Sequence, residues 1–312
     1  MTTVGIVGAG LIGRAWTIVF ARAGCTVRLV DASPAAAAAA LGIIGESLRD
    51  LRGAGLLDET PDAVLARIAI ADDLAGAVAD ADYVQENLPE LPDAKRQVFA
   101  AMDALAKPDA ILASSTSAIP GSAFTEGLAG RHRCLVAHPV NPPHLVPLVE
   151  LCRTPWTTDD VVARARALHE RAGQVPVTIE REVEGFVLNR LQGALLNEAL
   201  KLVAHGYISA EDLDKTVRDG LGLRWSFMGP FETIDLNAPL GVADYGARYG
   251  GFYDRVAAEP LPPCGWQHPV VATIDAERRA ALPAEKLGER QAWRDRRLMA
   301  LVAHKKTVAA KD

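Results

Sequence analysis

The sequence is poor in cysteine and contains no long apolar segment. Its four cysteines are Cys25, Cys134, Cys152 and Cys264. They are too few and too scattered to predict a disulfide framework or a paired metal site, and we expect no bound metal. No apolar run approaches the roughly 20 residues of a membrane-spanning helix, and no cleavable apolar segment follows a basic one at the N-terminus. We therefore expect a cytoplasmic protein with reduced, mostly buried thiols.

Positive charge is not in excess either. The 33 Lys and Arg residues and the 39 Asp and Glu residues give a formal net charge of −6 at pH 7. This balance disfavours nucleic acid and anionic membranes as partners. Apolar content is ample, because 49% of the 312 residues are hydrophobic, which suffices for two domains with buried cores. We therefore expect a soluble globular protein that binds a small molecule.

The N-terminal half alternates short strands with helices. Residues 4–7 form a β-branched run that ends in glycines, a helical segment follows up to Gly24, and a second strand ends before Asp31. Such a βαβ unit predicts a parallel, doubly wound α/β sheet. Further strands are predicted at residues 68–70, 83–84, 111–113, 134–137, 148–151 and 175–179.

The pattern changes after the last of these strands. From Gly185 onward strand signals almost disappear, and residues 186–205 are apolar on nearly every side, which predicts a buried helix. The remainder has the pattern of helices and loops, and it ends in a charged amphipathic helix from about Lys286. We therefore predict two domains, an α/β domain over residues 1–183 and an all-helical domain over residues 184–312.

A glycine-rich turn joins the first strand to the first helix. The segment Gly-Ala-Gly-Leu-Ile-Gly at residues 8–13 matches G-x-G-x-x-G, whose glycines allow a tight turn, a close approach to a pyrophosphate, and close helix–strand packing. Asp31 ends the second strand, where a carboxylate accepts a hydrogen bond from the ribose 2′-hydroxyl and repels a 2′-phosphate. Asp31 therefore favours NAD over NADP. The same glycines would also suit FAD, which only the rest of the chain can exclude. We predict a Rossmann-type domain that binds NAD through Gly8, Gly10, Leu11, Ile12, Gly13 and Asp31.

A histidine and a glutamate occupy two otherwise apolar strands. His138 follows residues 134–137, at the carboxyl end of a strand, where open α/β sheets bind ligands. Glu150 lies inside an apolar strand, where a carboxylate is costly unless it has a partner. A turn through Asn141 and the two prolines after it would bring Glu150 beside His138 and orient the imidazole. Since imidazole titrates near neutrality, His138 is the candidate general base, the alternative being a structural histidine.

Two further polar residues stay ambiguous from the pattern alone. Ser117 follows the strand at residues 111–113, so it lies at the same edge of the predicted sheet. It either bonds a substrate oxygen or is an ordinary loop serine. Asn189 lies in a segment too apolar for an amide without a partner, and it either has a structural hydrogen bond or contacts a ligand.

Together these motifs resemble those of the 3-hydroxyacyl-CoA dehydrogenase superfamily. The resemblance rests on the glycine loop, Ser117, residues 138–142, Glu150 and residues 185–190. It implies a Rossmann domain followed by a helical dimerisation domain, and therefore a homodimer. It also implies a dyad of His138 and Glu150, with Ser117 and Asn189 around the reacting oxygen. Glu90 and Lys95 fall where that family contacts the nicotinamide side of NAD, and Asn141, within the His138 motif, is included among the substrate contacts.

Later segments are similar to one branch of that superfamily, the lambda-crystallin branch. They are residues 138–143, 219–224, 229–233, 236–238 and 293–295. The resemblance implies oxidation of the 3-hydroxyl of a small hydroxy acid such as L-gulonate. One departure is Leu91, where the branch often has asparagine. A non-enzymatic, crystallin-like role is disfavoured because both members of the dyad are present.

Arg224 bears on the choice of substrate. It lies where the acyl-CoA enzymes generally lack an arginine, and a guanidinium binds both oxygens of a free carboxylate. The alternative is a surface or interface arginine. Carnitine also carries a carboxylate beyond its 3-hydroxyl, and Trp225, Phe227 or Tyr245 would then hold its trimethylammonium group. A compact hydroxy acid is favoured, while carnitine and acyl-CoA substrates stay open.

Overall fold

A computed structural model describes residues 1–258, 262 and 264–309. The chain forms two compact units, one made of Met1–Arg190 together with residues 288–309, and the other of Leu191–Leu287. The division that we predicted, residues 1–183 and 184–312, differs in two respects. The helix that starts at Leu188 begins in the first unit, and the C-terminal helix belongs to the first unit as well.

The first unit contains an eight-stranded sheet with the order β3-β2-β1-β4-β5-β6-β7-β8. Its strands are β1 (Thr3–Val7), β2 (Thr26–Val30), β3 (Ile68–Ile70), β4 (Tyr83–Glu86), β5 (Ile111–Ser114), β6 (Cys134–Pro139), β7 (Leu148–Arg153) and β8 (Val175–Ile179). Every predicted strand is present, and β1 to β6 are parallel. β7 is antiparallel to β6, because their short connection contains no crossover helix of the kind that parallel strands need.

Fourteen α-helices lie between and after these strands in the described residues. They are α1 (Leu11–Arg22), α2 (Pro34–Gly53), α3 (Pro61–Leu65), α4 (Leu74–Val78), α5 (Pro92–Leu105), α6 (Ser122–Thr125), α7 (Asp159–Arg171), α8 (Leu188–Ala204), α9 (Ala210–Lys215), α10 (Gly222–Trp225), α11 (Pro230–Asp235), α12 (Val242–Ala257), α13 (Pro269–Ala281) and α14 (Leu287–Ala309). Some of their starts carry a side-chain cap. Ser33, for example, accepts from the N–H of Ala36 at the start of α2, with Pro34 in the first turn. Gly173 ends the turn after α7 with a φ of 76°.

The core of the first unit lies on the faces of the sheet. Trp16 and Phe20 of α1 are fully buried, and Trp16 packs edge-on against His169 of α7. Met299 of α14 joins the same core cluster, which explains why this helix belongs to the first unit. All four cysteines are buried and unpaired, as predicted.

The regular elements among the described residues of the second unit are all helices, as predicted. The prediction that residues 186–205 form a buried helix is wrong in one respect. In α8 only Leu200 is buried, whereas Leu191 is 65% exposed and Leu195 is 37% exposed. One chain does not cover this apolar face, because the described helices of a unit this small cannot surround it. No helix in the described parts of the chain combines the length and apolar character needed to cross a membrane.

Candidate active site

The glycine loop has the geometry that a dinucleotide requires. Gly8 has a φ of 98°, and a Cβ on Gly13 would lie 1.8 Å from the carbonyl oxygen of Gly8. A side chain is therefore excluded at Gly13 by the fold itself. A Cβ on Gly10 would meet no protein atom within 4 Å, so the need for glycine there arises outside the folded chain, where a pyrophosphate would approach the start of α1.

Asp31 lies directly beside this loop. Its Oδ2 accepts a hydrogen bond of 2.7 Å from the N–H of Ala9, and its Oδ1 accepts one of 2.9 Å from the N–H of Ser33. The carboxylate is therefore fixed next to the glycine turn at the end of β2. The donors and the shape fit NAD, and Gly8, Gly10, Leu11, Ile12, Gly13 and Asp31 would hold it.

His138 and Glu150 face each other across the antiparallel strands β6 and β7. The two residues are direct partners in the strand register, and Nδ1 of His138 lies 2.8 Å from Oε2 of Glu150. Both side chains are buried. Among the described residues no group bonds Nε2 of His138, so that nitrogen is free to exchange a proton with a substrate.

The second oxygen of Glu150 is also occupied. Oε1 accepts hydrogen bonds of 2.9 Å and 2.8 Å from the N–H groups of Val187 and Leu188. Burial alone would raise the pKa of Glu150, but the hydrogen bond from His138 and those from the backbone outweigh burial and lower this pKa. The carboxylate is therefore ionised at neutral pH, which places the imidazole proton on Nδ1 and leaves Nε2 as the basic nitrogen.

Phe186 shapes this site and was missed by the sequence reasoning. Its ring is buried and lies 5.3 Å from the imidazole of His138 between centroids. Gly185 and Phe186 both have positive φ values, 74° and 51°, and a bulky residue adopts that region only when its surroundings impose it. The turn presents the next two N–H groups to Glu150. Gly185, the residue before Phe186, was the sequence feature that could have indicated a left-handed turn here.

Ser117, Glu90 and Asn189 come together at the end of β5. Oε1 of Glu90 accepts from the N–H groups of Ser117, at 2.8 Å, and Ala118, at 3.0 Å. The amide of Asn189 donates to the carbonyl oxygen of Ser117 at 2.8 Å. The backbone of Ser117 is thus held from two sides, while no described residue bonds its exposed hydroxyl. The side-chain NH₂ of Asn189 thus has a hydrogen-bond partner, as an amide in an apolar segment needs. Its side-chain oxygen stays available to a ligand.

Lys95 is enclosed rather than open to a ligand. Its side chain is 1% exposed, and its Nζ lies 3.0 Å from both carboxylate oxygens of Glu86. Nζ also lies 3.7 Å from Oε2 of Glu90. The predicted direct contact of Lys95 with the cofactor stays a prediction, and the contact seen on this side of the site is the ion pair with Glu90. The sequence analysis did not identify Glu86 as the partner of Lys95. A buried glutamate at the end of a strand needs a partner, as Glu150 does, and this need was the available signal.

The remaining predicted substrate contacts are not brought into this cluster. Asn141 is exposed in the loop after β6. Arg224 is exposed on α10 and belongs to the second unit. In that unit Trp225 and Phe227 are 42% and 68% exposed, and the Tyr245 hydroxyl is hydrogen-bonded to that of Tyr253 at 2.8 Å.

A Rossmann-type sheet with a dinucleotide loop and a carboxylate-held histidine defines a nicotinamide-dependent dehydrogenase. The chain belongs to the 3-hydroxyacyl-CoA dehydrogenase family: residues 3–183 match the family's NAD binding domain, and residues 185–279 match its C-terminal domain. It is therefore an NAD-dependent dehydrogenase that acts on a CH–OH group, as the motifs predicted.

Relatives of named function cover most of the chain. A lambda-crystallin homolog of Bos taurus is 43% identical over 302 residues, which are 96% of this chain and 94% of that protein. An L-carnitine dehydrogenase of Streptomyces coelicolor is 40% identical over 233 residues, 75% of this chain and 72% of that protein. A solved structure of 5-formyl-3-hydroxy-2-methylpyridine 4-carboxylic acid 5-dehydrogenase, an NAD+-dependent dismutase, has a TM-score of 0.82 at 30% identity and covers 96% of this chain and 97% of that one.

Proposed function

We propose that the protein oxidises the 3-hydroxyl of a small, L-gulonate-like hydroxy acid to the 3-keto acid, with NAD as hydride acceptor. The observation that carries the chemistry is the 2.8 Å contact between His138 and Glu150. Hydride loss from a carbinol carbon needs simultaneous removal of the hydroxyl proton, and a neutral imidazole is suited to that task at physiological pH.

Each residue of the site has a separate role in proton transfer or substrate binding. Nε2 of His138 accepts the hydroxyl proton, and ionised Glu150 stabilises the imidazolium that results. The hydroxyl of Ser117 and the amide of Asn189 bond the substrate oxygen, while Glu90 fixes the backbone of Ser117. When bound, NAD accepts the hydride from the carbinol carbon. We expect the guanidinium of Arg224 to bind the carboxylate of the substrate through bidentate hydrogen bonds.

Two features support a free acid over a CoA thioester. Arg224 is an exposed guanidinium, the group best suited to a carboxylate. The dismutase of similar fold also acts on a compound named as a carboxylic acid. L-carnitine is the second candidate, because a carnitine dehydrogenase is 40% identical.

NADH formation with a panel of substrates tests this proposal. The panel contains L-gulonate, L-carnitine, 3-hydroxybutyrate and 3-hydroxybutyryl-CoA, each assayed with NAD at saturation. We expect the highest kcat/KM with L-gulonate. A higher kcat/KM with L-carnitine would select the second candidate, and a preference for the thioester would contradict the role of Arg224.

We also propose that the protein is a homodimer through its second unit. Leu191 and Leu195 leave an apolar face of α8 exposed in one chain. Other large apolar side chains of the same unit are exposed as well, namely Leu223, Phe227, Phe231, Leu236 and Leu240. An exposed apolar surface of this kind is typical of an interface that a second copy covers.

A further inference from the structure

A cavity of about 440 Å³ lies at the opposite end of α1 from the glycine loop. Arg22, the last residue of α1, lines it, and a 12-residue helix places that residue roughly 16 Å along the axis from the first one. The side chains that carry charge or titrate in the lining are Arg22, Asp58, Glu59, His144, Arg171 and Lys306. All of them belong to the first unit, and neither the dyad nor the glycine loop contributes to the cavity.

Arg22 carries a charge without a counterion. Its Nη1 donates to the carbonyl oxygen of His144 at 2.9 Å. Within the described residues no carboxylate lies at ion-pair distance from it. Burial lowers the pKa of Arg22, but a guanidinium keeps its proton in proteins. A half-buried, unpaired cation is costly, and an anion from solution would compensate it.

Both carboxylates of the cavity already have a cationic partner, whereas Arg171 has no carboxylate partner among the described residues. Glu59 is bound by Arg67 outside the cavity, and Asp58 lies 3.9 Å from Lys306. Arg171, exposed at the end of α7, forms no ion pair with any described residue. The cavity therefore presents two guanidiniums, those of Arg22 and Arg171, that have no carboxylate partner in the described chain.

His144 adds a neutral hydrogen-bonding group. Its Nδ1 is buried and has no hydrogen-bond partner among the residues described. Burial and the charge of Arg22 lower the pKa of His144 to about 4, so the imidazole is uncharged at neutral pH and offers one N–H donor. Two guanidiniums beside an uncharged imidazole suit the oxygens of a phosphate.

We propose that this cavity is a binding site for a small dianion of the phosphate type. Arg22 and Arg171 bind its oxygens, while His144 and Lys306 line the same cavity. The volume falls within the range of about 300–1,000 Å³ that small-molecule sites occupy. The proposal does not depend on the substrate of the dehydrogenase.

Calorimetric titration with inorganic phosphate tests the proposal. Ionic strength is held constant with NaCl, and NAD is present at saturation so that the glycine loop is occupied. We expect phosphate to bind one site per chain, and Arg171→Met to weaken binding tenfold or more. Arg164→Met is the matched control, because Arg164 lies on the same helix outside the cavity, and its affinity should equal that of the native protein.

Two further variants and a spectroscopic readout locate the ion. Arg22→Met should abolish binding and Arg22→Lys should restore part of it, since lysine keeps the charge without the planar fork. In NMR titrations bound phosphate should raise the pKa of His144. Absence of phosphate binding with NAD at saturation, equal affinity in the Arg171 and Arg164 variants, or an unchanged His144 titration would each overturn the proposal.

Discussion

Replacing Glu150 by glutamine changes the charge of the dyad while preserving its shape. In the native chain Oε1 accepts two backbone N–H groups, from Val187 and Leu188. In the variant the amide oxygen has to remain there, because an NH₂ group cannot accept these bonds. The amide NH₂ therefore faces Nδ1 of His138. Nδ1 must then act as an acceptor, and the imidazole proton moves to Nε2, the nitrogen needed to take up the substrate proton.

The expected loss follows from this tautomer. General-base catalysis contributes about 10²–10⁴-fold, and a wrong tautomer in a related triad costs about 10⁴-fold. We expect Glu150→Gln to lower kcat by about 10³-fold, which corresponds to about 4 kcal/mol in the activation barrier. The affinity for NAD should not change, since the glycine loop and Asp31 are untouched.

Steady-state NADH formation across a pH series measures the effect. The kcat of the variant should stay about 10³-fold below that of the native protein at every pH of the series. Glu182→Gln is the control, because Glu182 accepts a backbone N–H from Ser122 and does not contact the dyad. Turnover of Glu150→Gln within tenfold of the native value would refute the tautomer argument.

The remaining predictions concern the cofactor loop, the substrate, the assembly and acid stability. Gly10→Ala should leave the Tm unchanged, because a Cβ there meets no protein atom. It should weaken NAD binding at least tenfold, because the Cβ would occupy the space where the pyrophosphate approaches. Gly13→Ala should instead lower the Tm by several degrees, because its Cβ would lie 1.8 Å from a backbone oxygen, and an unchanged Tm would contradict this geometry. Arg224→Met should raise the KM for the hydroxy acid at least tenfold with NAD binding intact, lysine should restore only part of it, and equal rates with the ester and the free acid would exclude the carboxylate contact. Leu191→Glu should shift the protein toward monomer in light scattering, and a native protein that is monomeric at micromolar concentration would contradict the dimer. Because the folded-state pKa of Glu150 lies below its usual 4.5, its ionised form stabilises the fold above that pH, and this contribution is lost as the pH falls through the lower folded value. The acid decline in Tm should accordingly be shallower in Glu150→Gln, and an equal decline would show that this carboxylate does not contribute.

The dyad was predictable because two simple constraints coincide. A carboxylate on an apolar strand needs a partner, and the short connection between β6 and β7 leaves His138 as the partner within reach. The glycine loop was predictable for a similar reason, since the spacing of its glycines encodes backbone contacts that any side chain would block.

Other features depend on tertiary context that a local pattern does not contain. The left-handed conformation of Phe186 is imposed by its neighbours, and neither its propensity nor its spacing specifies it. The environment of Lys95 depends on Glu86, which reaches it from a neighbouring strand. The apolar pattern of α8 was recognised, but a pattern states only that a face must be covered. It does not state whether the cover comes from the same chain or from a second copy.

The central claim is that His138 is the base that removes the hydroxyl proton. The most direct test is the turnover of His138→Asn at saturating NAD and hydroxy acid, with the Kd for NAD measured in parallel. We predict a decrease in kcat on the order of 10²–10⁴-fold with an essentially unchanged Kd. Near-native turnover in this variant would show that the proton leaves through another group.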